Sequence, residues 1–374
     1  MSISLLILGL VLFILLVVVH EFGHFLIARR NGVEIEEFGI FFPPTIWSRK
    51  TKNGWKFSVN LIPLGGFVKM KGEHDSDTRP HTFGAAPLWA KVKIMLAGVA
   101  MNLLAAFVLL TALAWIGLPQ LVNNQFTVKS DTKTVKSEVL VGYVESNSPA
   151  QKAGLSDTDQ LMAIIPTVGK PITITTADLL PNTTKRFAGQ TVKVEYMHDK
   201  QVETKQVTLL SQAVVAASQK TNNPKGYLGI SPTQYTLRRS TWSAPVTAVG
   251  LLGQITALTF KGLATAIVGL VQGNTAKATA QVTGPVGIFE LLKTGSLLGY
   301  QFVLMLVAII SLSLAIMNVL PIPALDGGRL FVTLITRARG KALSETAEAV
   351  IYGTGFAFLI LLVILITIVD VNRH

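Results

Sequence analysis

Two histidines four residues apart flank a glutamate in His20-Glu21-Phe22-Gly23-His24. On a helix, residues four apart share a face, so both imidazoles can hold one Zn²⁺ while Glu21 is left to handle a water molecule. The chemistry of such a set is hydrolysis. Zinc brings the pKa of a water toward about 7 and polarises a carbonyl, and Glu21 takes the water proton and hands it to the leaving amine. Glu21 is then the base and not a ligand. The motif closes an apolar run over 5–19, and with the residues after it the stretch is long enough to cross a bilayer. A charged side chain in such a helix costs about 2.5–3.5 kcal/mol on insertion scales, so it calls for a function or a partner.

A catalytic zinc site takes three protein ligands and leaves a fourth position for water. The third ligand must therefore lie at the depth of His20 and His24. Glu21 is about 12 Å from the Arg29 end of its helix at 1.5 Å per residue. A later apolar stretch, 299–320, reaches the same zone at Asn318-Val-Leu-Pro321-Ile-Pro323-Ala-Leu325-Asp326-Gly327-Gly328. The prolines break that helix and the glycine pair frees the backbone, so the Asp326 carboxylate can turn back toward the histidines. Asn318, at the break, could donate a hydrogen bond to a substrate backbone or an oxyanion, or else to a neighbouring helix. Asn102 invites the same comparison and is assigned to packing.

The elements that must position these residues follow from composition. Of 374 residues, 50% are hydrophobic and 14% charged, which indicates a polytopic membrane protein. Four stretches qualify as transmembrane helices: 5–28, 94–118, 299–320 and 351–369. The first lacks a basic leader, and Arg29 and Arg30 follow it in place of a small-residue cleavage site, so it reads as a span and not as a cleaved signal peptide. The net charge of +12 reports topology, not nucleic-acid binding. Arg29, Arg30, Arg49, Lys50, Lys52, Lys91 and Lys93 lie between the first two spans, and Arg329, Arg337, Arg339 and Lys341 between the last two. The positive-inside rule puts both connections in the cytoplasm, and both termini and the segment 119–298 outside. The absence of cysteine excludes disulfides, a thiolate ligand and a cysteine nucleophile.

The chain divides by this reading into a first span (1–30), a cytoplasmic-side β-hairpin loop (31–90), a second span (91–118), an α+β domain (125–232), an interfacial amphipathic helix (241–272), a third span (299–320), an Asp-Gly-Gly loop with a cytoplasmic connection (321–349) and a fourth span (350–370). The stretch 246–271 is apolar at helical spacing and long enough to cross. If it crossed, Asp326 would arrive on the face opposite His20, so it is expected to lie in the interface. In the hairpin loop, alternation over 55–61 and the run Leu64-Gly65-Gly66-Phe67-Val68 predict two short strands. They could close a loop, or offer an edge at Gly65, Gly66 and Phe67 to an unwound substrate segment.

Within the α+β domain, Val144-Glu-Ser-Asn-Ser-Pro149-Ala150-Gln-Lys-Ala153-Gly154-Leu155 resembles the strand–turn–helix signature of PDZ domains. Gly226-Tyr227-Leu228-Gly229-Ile230 resembles the loop with which they receive a peptide C-terminus; simple turn formation is the alternative for its glycines. The whole constellation looks like a bacterial site-2 protease of the RseP type: HEFGH in the first span, Ile62-Pro63-Leu64-Gly65-Gly66-Phe67, the PDZ-like segment, Thr283-Gly284-Pro285-Val286-Gly287 and Asn318 through Gly328. The resemblance implies zinc held by His20, His24 and Asp326, Glu21 as the base, Asn318 and the Gly65–Phe67 edge on the substrate strand, and a bacterial inner-membrane location. It also implies cleavage of single-pass proteins within or near their transmembrane helices, such as anti-sigma factors or signal-peptide remnants. Two departures from the family pattern stand out, Gly39-Ile40-Phe41 where Gly-Phe-Gly is frequent and Gly98-Val99 where Gly-Pro is. A third is the single PDZ-like unit.

Rival chemistries lack residues. A rhomboid-like serine protease needs a histidine partner for Ser311 or Ser313, and an intramembrane aspartyl protease needs a second aspartate beside Asp326. A non-catalytic membrane adaptor, with a PDZ domain and a structural metal, is the rival from a different class. Its metal site would be closed by four protein ligands.

Overall fold

The computed structural model describes residues 3–373 except Asp75, Asn123, Lys200, Asn222, Asn223, Gln281, Lys341 and Ala342; Lys341, counted among the basic residues above, lies outside them. The chain separates into two compact units, one of residues 1–114 with 242–374 and one of Trp115–Thr241.

The first unit begins with α1 (Ile3–Arg30), followed by β1 (Ile35–Lys50), β2 (Lys56–Met70) and α2 (Leu88–Ile116). It resumes with α6 (Ala244–Val271), α7 (Thr275–Thr279), α8 (Pro285–Leu298), α9 (Tyr300–Val319), α10 (Asp326–Ala338) and α11 (Glu345–Arg373). Among the described residues, five helices are long and apolar enough to cross a membrane: α1, α2, α6, α9 and α11. The fifth candidate beyond the four expected is α6. Its Leu252 and Ile255 pack on Ala106 of α2 and on Leu312 and Ile316 of α9, so its first half belongs to the helix bundle.

Small residues set the closest helix contacts. A Cβ on Gly23 of α1 would stand 2.6 Å from the carbonyl of Ala97 in α2. Glycine there lets the two backbones approach as they do at small-residue crossings in membranes. At the other end of α1, Leu6 packs with Leu292 of α8 and Val303 of α9. The N-terminus of α8 is capped from α11, where the buried Asp370 Oδ2 accepts hydrogen bonds from the backbone N–H groups of Gly284 and Gly287 at 2.8 and 2.9 Å. A carboxylate is favoured where unpaired N–H groups and the positive end of a helix dipole coincide.

The expected two short strands are parts of one longer, bent ladder. β1 and β2 pair antiparallel in three runs, 45–50 with 56–60, 37–40 with 56–59 and 35–40 with 66–70. Periodicity finds the strands but cannot show that β1 pairs on both sides. Asn60 ties the bend, donating to the carbonyls of Ile40 and Phe41. Phe41 takes a left-handed φ of 67°, at a place where the family often has a glycine. This puts Phe41 in a conformation costing about 1–2 kcal/mol for residues with a Cβ.

The second unit is an antiparallel sheet with short helices. Its elements are β3 (Leu118–Pro119), β4 (Lys133–Val144), α3 (Pro149–Lys152), β5 (Gln160–Pro166), β6 (Ile172–Thr173), α4 (Leu179–Arg186), β7 (Thr191–His198), β8 (Gln201–Thr208), α5 (Gln212–Ser218) and β9 (Ile230–Arg239). The strand order is β3-β9-β4-β5-β7-β8, with β6 on β5. Aliphatic residues of the strands, Val139, Val141, Leu161, Ile164, Val192 and Val194 among them, make one core, with a register shift in β5 between Leu161 and Ala163. Val144 to Leu155 forms strand, turn and helix, with Ser148 capping α3 through the N–H of Gln151.

Candidate metal centre

His20 and His24 project from one face of α1, and Asp326 is the first residue of α10, reached through a turn after α9. The structure brings the three together. Asp326 Oδ2 lies 3.1 Å from the Nε2 atoms of both histidines, and those two nitrogens are 3.2 Å apart. Lone pairs aimed at one point this closely repel one another unless a cation or a proton sits between them. Four tetrahedral ligands at zinc bond lengths of about 2.0–2.1 Å stand about 3.3 Å from one another, and two nitrogens with one carboxylate oxygen make an ordinary catalytic donor set. The residues present therefore fit zinc, and all three are buried or half-buried.

The local sequence explains the Asp326 position. Pro321 and Pro323 end α9, Ala324 turns at φ 81°, and α10 starts at once. Gly327 and Gly328 lie against the backbone carbonyls of Val319 and Ile322, where a Cβ would overlap them. The glycine pair thus permits the tight reversal that swings Asp326 back. Arg329, one turn on, donates to the carbonyl of Glu73 at 2.5 Å, and its guanidinium lies 4.7 Å from the Phe83 ring centre. It pins the start of α10 to the segment after β2.

Glu21 is half-buried beside this set. A Cβ on Gly66 would stand 3.3 Å from the Glu21 side chain, so the end of β2 passes the candidate base at close range. Gly65 faces the ring of Phe42, and Phe67 stacks on that ring with centroids 6.4 Å apart. Of these three residues, Gly66 is the one against Glu21. Asn318 is placed differently: its amide donates to the carbonyl of Leu314 one turn back, at 3.0 Å.

α2 supplies three contacts from one face, at Ile94, Gly98 and Asn102. The carbonyl of Ile94 is 2.8 Å from His24 Nδ1, and the Asn102 amide is 3.2 Å from His20 Nδ1. A Cβ on Gly98 would meet both imidazoles at 2.5 Å. Sequence reasoning noted Gly98 only as half of an altered pair and assigned Asn102 to packing. Their i, i+4 spacing with each other was the available signal; the Ile94 carbonyl, being backbone, left none.

In the second unit, Gly226, Tyr227 and Leu228, but not Gly229, line a cavity of about 200 Å³ with Leu180, Pro181 and Val215. The carbonyls of Leu228 and Gly229 accept from Ala150 and Glu145. Gly229 has a φ of 78° against Ser148 and Leu228 is buried in the core, so these two residues build the unit itself. His198 lies 2.6 Å from the buried Asp159, whose carboxylate raises the imidazole above its ordinary pKa.

Several long apolar helices, with three side chains that could hold a metal beside a glutamate, have the character of an integral-membrane metalloprotein. Residues 8–362 match the profile of peptidase family M50. The chain is 30% identical, over 99% of its length and 98% of the relative's, to a Clostridium acetobutylicum protein provisionally named a zinc metalloprotease. It is 27% identical to the regulator of sigma-W protease RasP of Bacillus subtilis, with 97% of each chain covered, and 27% identical to the zinc metalloprotease RasP of Bacillus licheniformis, with 96% of each covered. The chain belongs to peptidase family M50, the site-2 protease family, and is a zinc metalloprotease.

Proposed function

We propose that this protease hydrolyses peptide bonds within or near the transmembrane segments of single-span membrane proteins, with His20, His24 and Asp326 as zinc ligands and Glu21 as general base. The observation that carries the reading is the convergence of two imidazole nitrogens and one carboxylate oxygen, 3.1–3.2 Å apart, on a helix long and apolar enough to cross a membrane. Zinc, when bound there, acidifies a water and polarises the scissile carbonyl. The chain's own residues do the rest. Glu21 takes the water proton and returns it to the leaving amine. The end of β2 at Gly65, Gly66 and Phe67 lies beside Glu21 and can receive an extended strand. Asn318 enters this reading as a substrate contact only once its amide leaves Leu314.

A helical substrate hides its peptide bonds in its own hydrogen bonds, so it must unwind, and helix-breaking residues near the scissile bond promote cleavage. Anti-sigma factors and signal-peptide remnants are the substrate classes in view, the first in keeping with the name of the Bacillus subtilis relative. The basic residues between α1 and α2 and between α9 and α11 argue for a bacterial cytoplasmic-membrane protein with the active site toward the cytoplasm. Both termini and the second unit, read as PDZ-like and open to peptide C-termini, then lie outside.

The test is cleavage of a single-span reporter by the purified wild type and Glu21→Gln, with zinc quantified in both. Cleavage lost with zinc retained is expected. Equal cleavage by the two would remove Glu21 as the base, and a metal-binding chain that cuts no single-span substrate would favour the adaptor.

A further inference from the structure

A histidine that binds metal through Nε2 must carry its proton on Nδ1, and that proton needs an acceptor. His24 has one in the carbonyl of Ile94, at 2.8 Å. His20 faces the side-chain amide of Asn102, whose Nδ2 is 3.2 Å from Nδ1. With the amide nitrogen toward the ring, Nδ1 has to be the bare acceptor, and the ring proton sits on Nε2, pointing at His24 and Asp326. Nε2 is then closed to a metal. A half-turn of the amide about its last bond exchanges nitrogen for oxygen without changing shape. Oδ1 then accepts from Nδ1–H and Nε2 is bare.

Two observations mark Asn102 for this task. Its side chain is fully buried, and Oδ1 has no hydrogen-bond partner, an unusual state for a buried acceptor beside a titratable ring. Its backbone is held as well, since the carbonyl of Asn102 accepts from Ser311 Oγ of α9 at 2.7 Å. The amide is thus fixed in place but able to turn over.

Resting on the zinc-site reading above, we propose that Asn102 is a positioning residue for His20, accepting from Nδ1–H through Oδ1 in the metal-loaded protein and so selecting the tautomer that ligates. An amide serves both states of the site, donating to the metal-free tautomer and accepting from the metal-bound one.

The experiment compares zinc dissociation constants of the full-length wild type, Asn102→Asp and Asn102→Ala by competition with a chromophoric chelator. It adds ¹⁵N NMR of the histidine ring nitrogens in the zinc-loaded wild type. Asp keeps an acceptor oxygen in the same volume; Ala keeps none. Removing an acceptor of this kind costs about 10–100-fold in metal affinity, so Ala should weaken binding by that factor and Asp should stay within about threefold of wild type. Nδ1 of His20 should be protonated and Nε2 not. Unchanged binding in Asn102→Ala would overturn the proposal, as would Asp as weak as Ala, which would mean that the amide acts as a donor. A wild type that takes no zinc, or His20→Ala that binds as wild type does, would instead remove the metal site itself.

Discussion

Both units contain a histidine against an aspartate, buried in one case and half-buried in the other, and the two pairs differ in what surrounds them. In the second unit His198 contacts Asp159 at 2.6 Å, while its ring is 42% exposed. One aspartate oxygen meets one ring nitrogen, and the other ring nitrogen lies 3.7 Å from the exposed carboxylate of Asp199. In the helical unit a single oxygen of Asp326 faces two nitrogens, and the far nitrogen of each ring is already claimed from α2. A polar contact in the solvated sheet domain closes a local gap. In an apolar bundle, where each polar group is costly to bury, the same residue types are arranged around a common point and backed by second contacts.

That difference can be broken most directly by truncation. His20→Ala or Asp326→Ala should lower zinc affinity by more than about 100-fold and abolish cleavage, whereas His198→Ala should leave both unchanged. Zinc content and reporter cleavage of the three variants decide it; loss of zinc in His198→Ala would refute the contrast. The next effect comes from glycines. Gly98→Ala drives a methyl into both metal-facing rings and should cost about 10–100-fold in zinc affinity, the range for disturbed second contacts. Gly154, at φ 84° with open space around it, should cost about 1 kcal/mol of stability on change to Ala, read by hydrogen exchange in the second unit, with zinc unaltered.

Arg329→Gln releases the start of α10 from Glu73 and Phe83, and with it Asp326. A fall in cleavage of about tenfold, with the reporter's KM unchanged, is expected for a residue acting through a ligand; an effect on KM alone would place Arg329 on the substrate instead. The smallest effect is the pH dependence of the other pair. Asp159 raises the pKa of His198 in the folded chain. Its contribution is therefore complete below the unfolded value of about 6.5 and is lost as pH rises through the raised folded value. Protection of β5 and β7 amides from exchange should decline over that window, and His198→Gln should flatten the decline.

Much of the bundle could be read locally. Apolar length marks α1, α2, α9 and α11 because a bilayer demands it. The i, i+4 spacing of His20 and His24 needs only one helical turn, and the proline–glycine pattern around Asp326 indicates a reversal. The β-hairpin was seen as two strands, but its double pairing depends on which partner lies across the ladder. α6 shows the limit most plainly. Its composition satisfies both an interfacial and a bundled helix, and the packing of Leu252 and Ile255 on Ala106, Leu312 and Ile316 is a contact that composition does not reveal.

By itself the sequence determined the membrane class, the motif that carries two candidate ligands and a candidate base, and the candidate third ligand, because each follows from composition or from spacing along one element. Only the tertiary structure decided that Asp326 Oδ2 sits equidistant from both imidazoles, that Gly98 makes room for them and that Asn102 and the Ile94 carbonyl stand behind them. Those contacts join residues 70 (Ile94 and His24) to 306 (Asp326 and His20) positions apart. The physical reason is that a ring nitrogen's second partner is chosen by which helix face packs against it, a property no single helix carries.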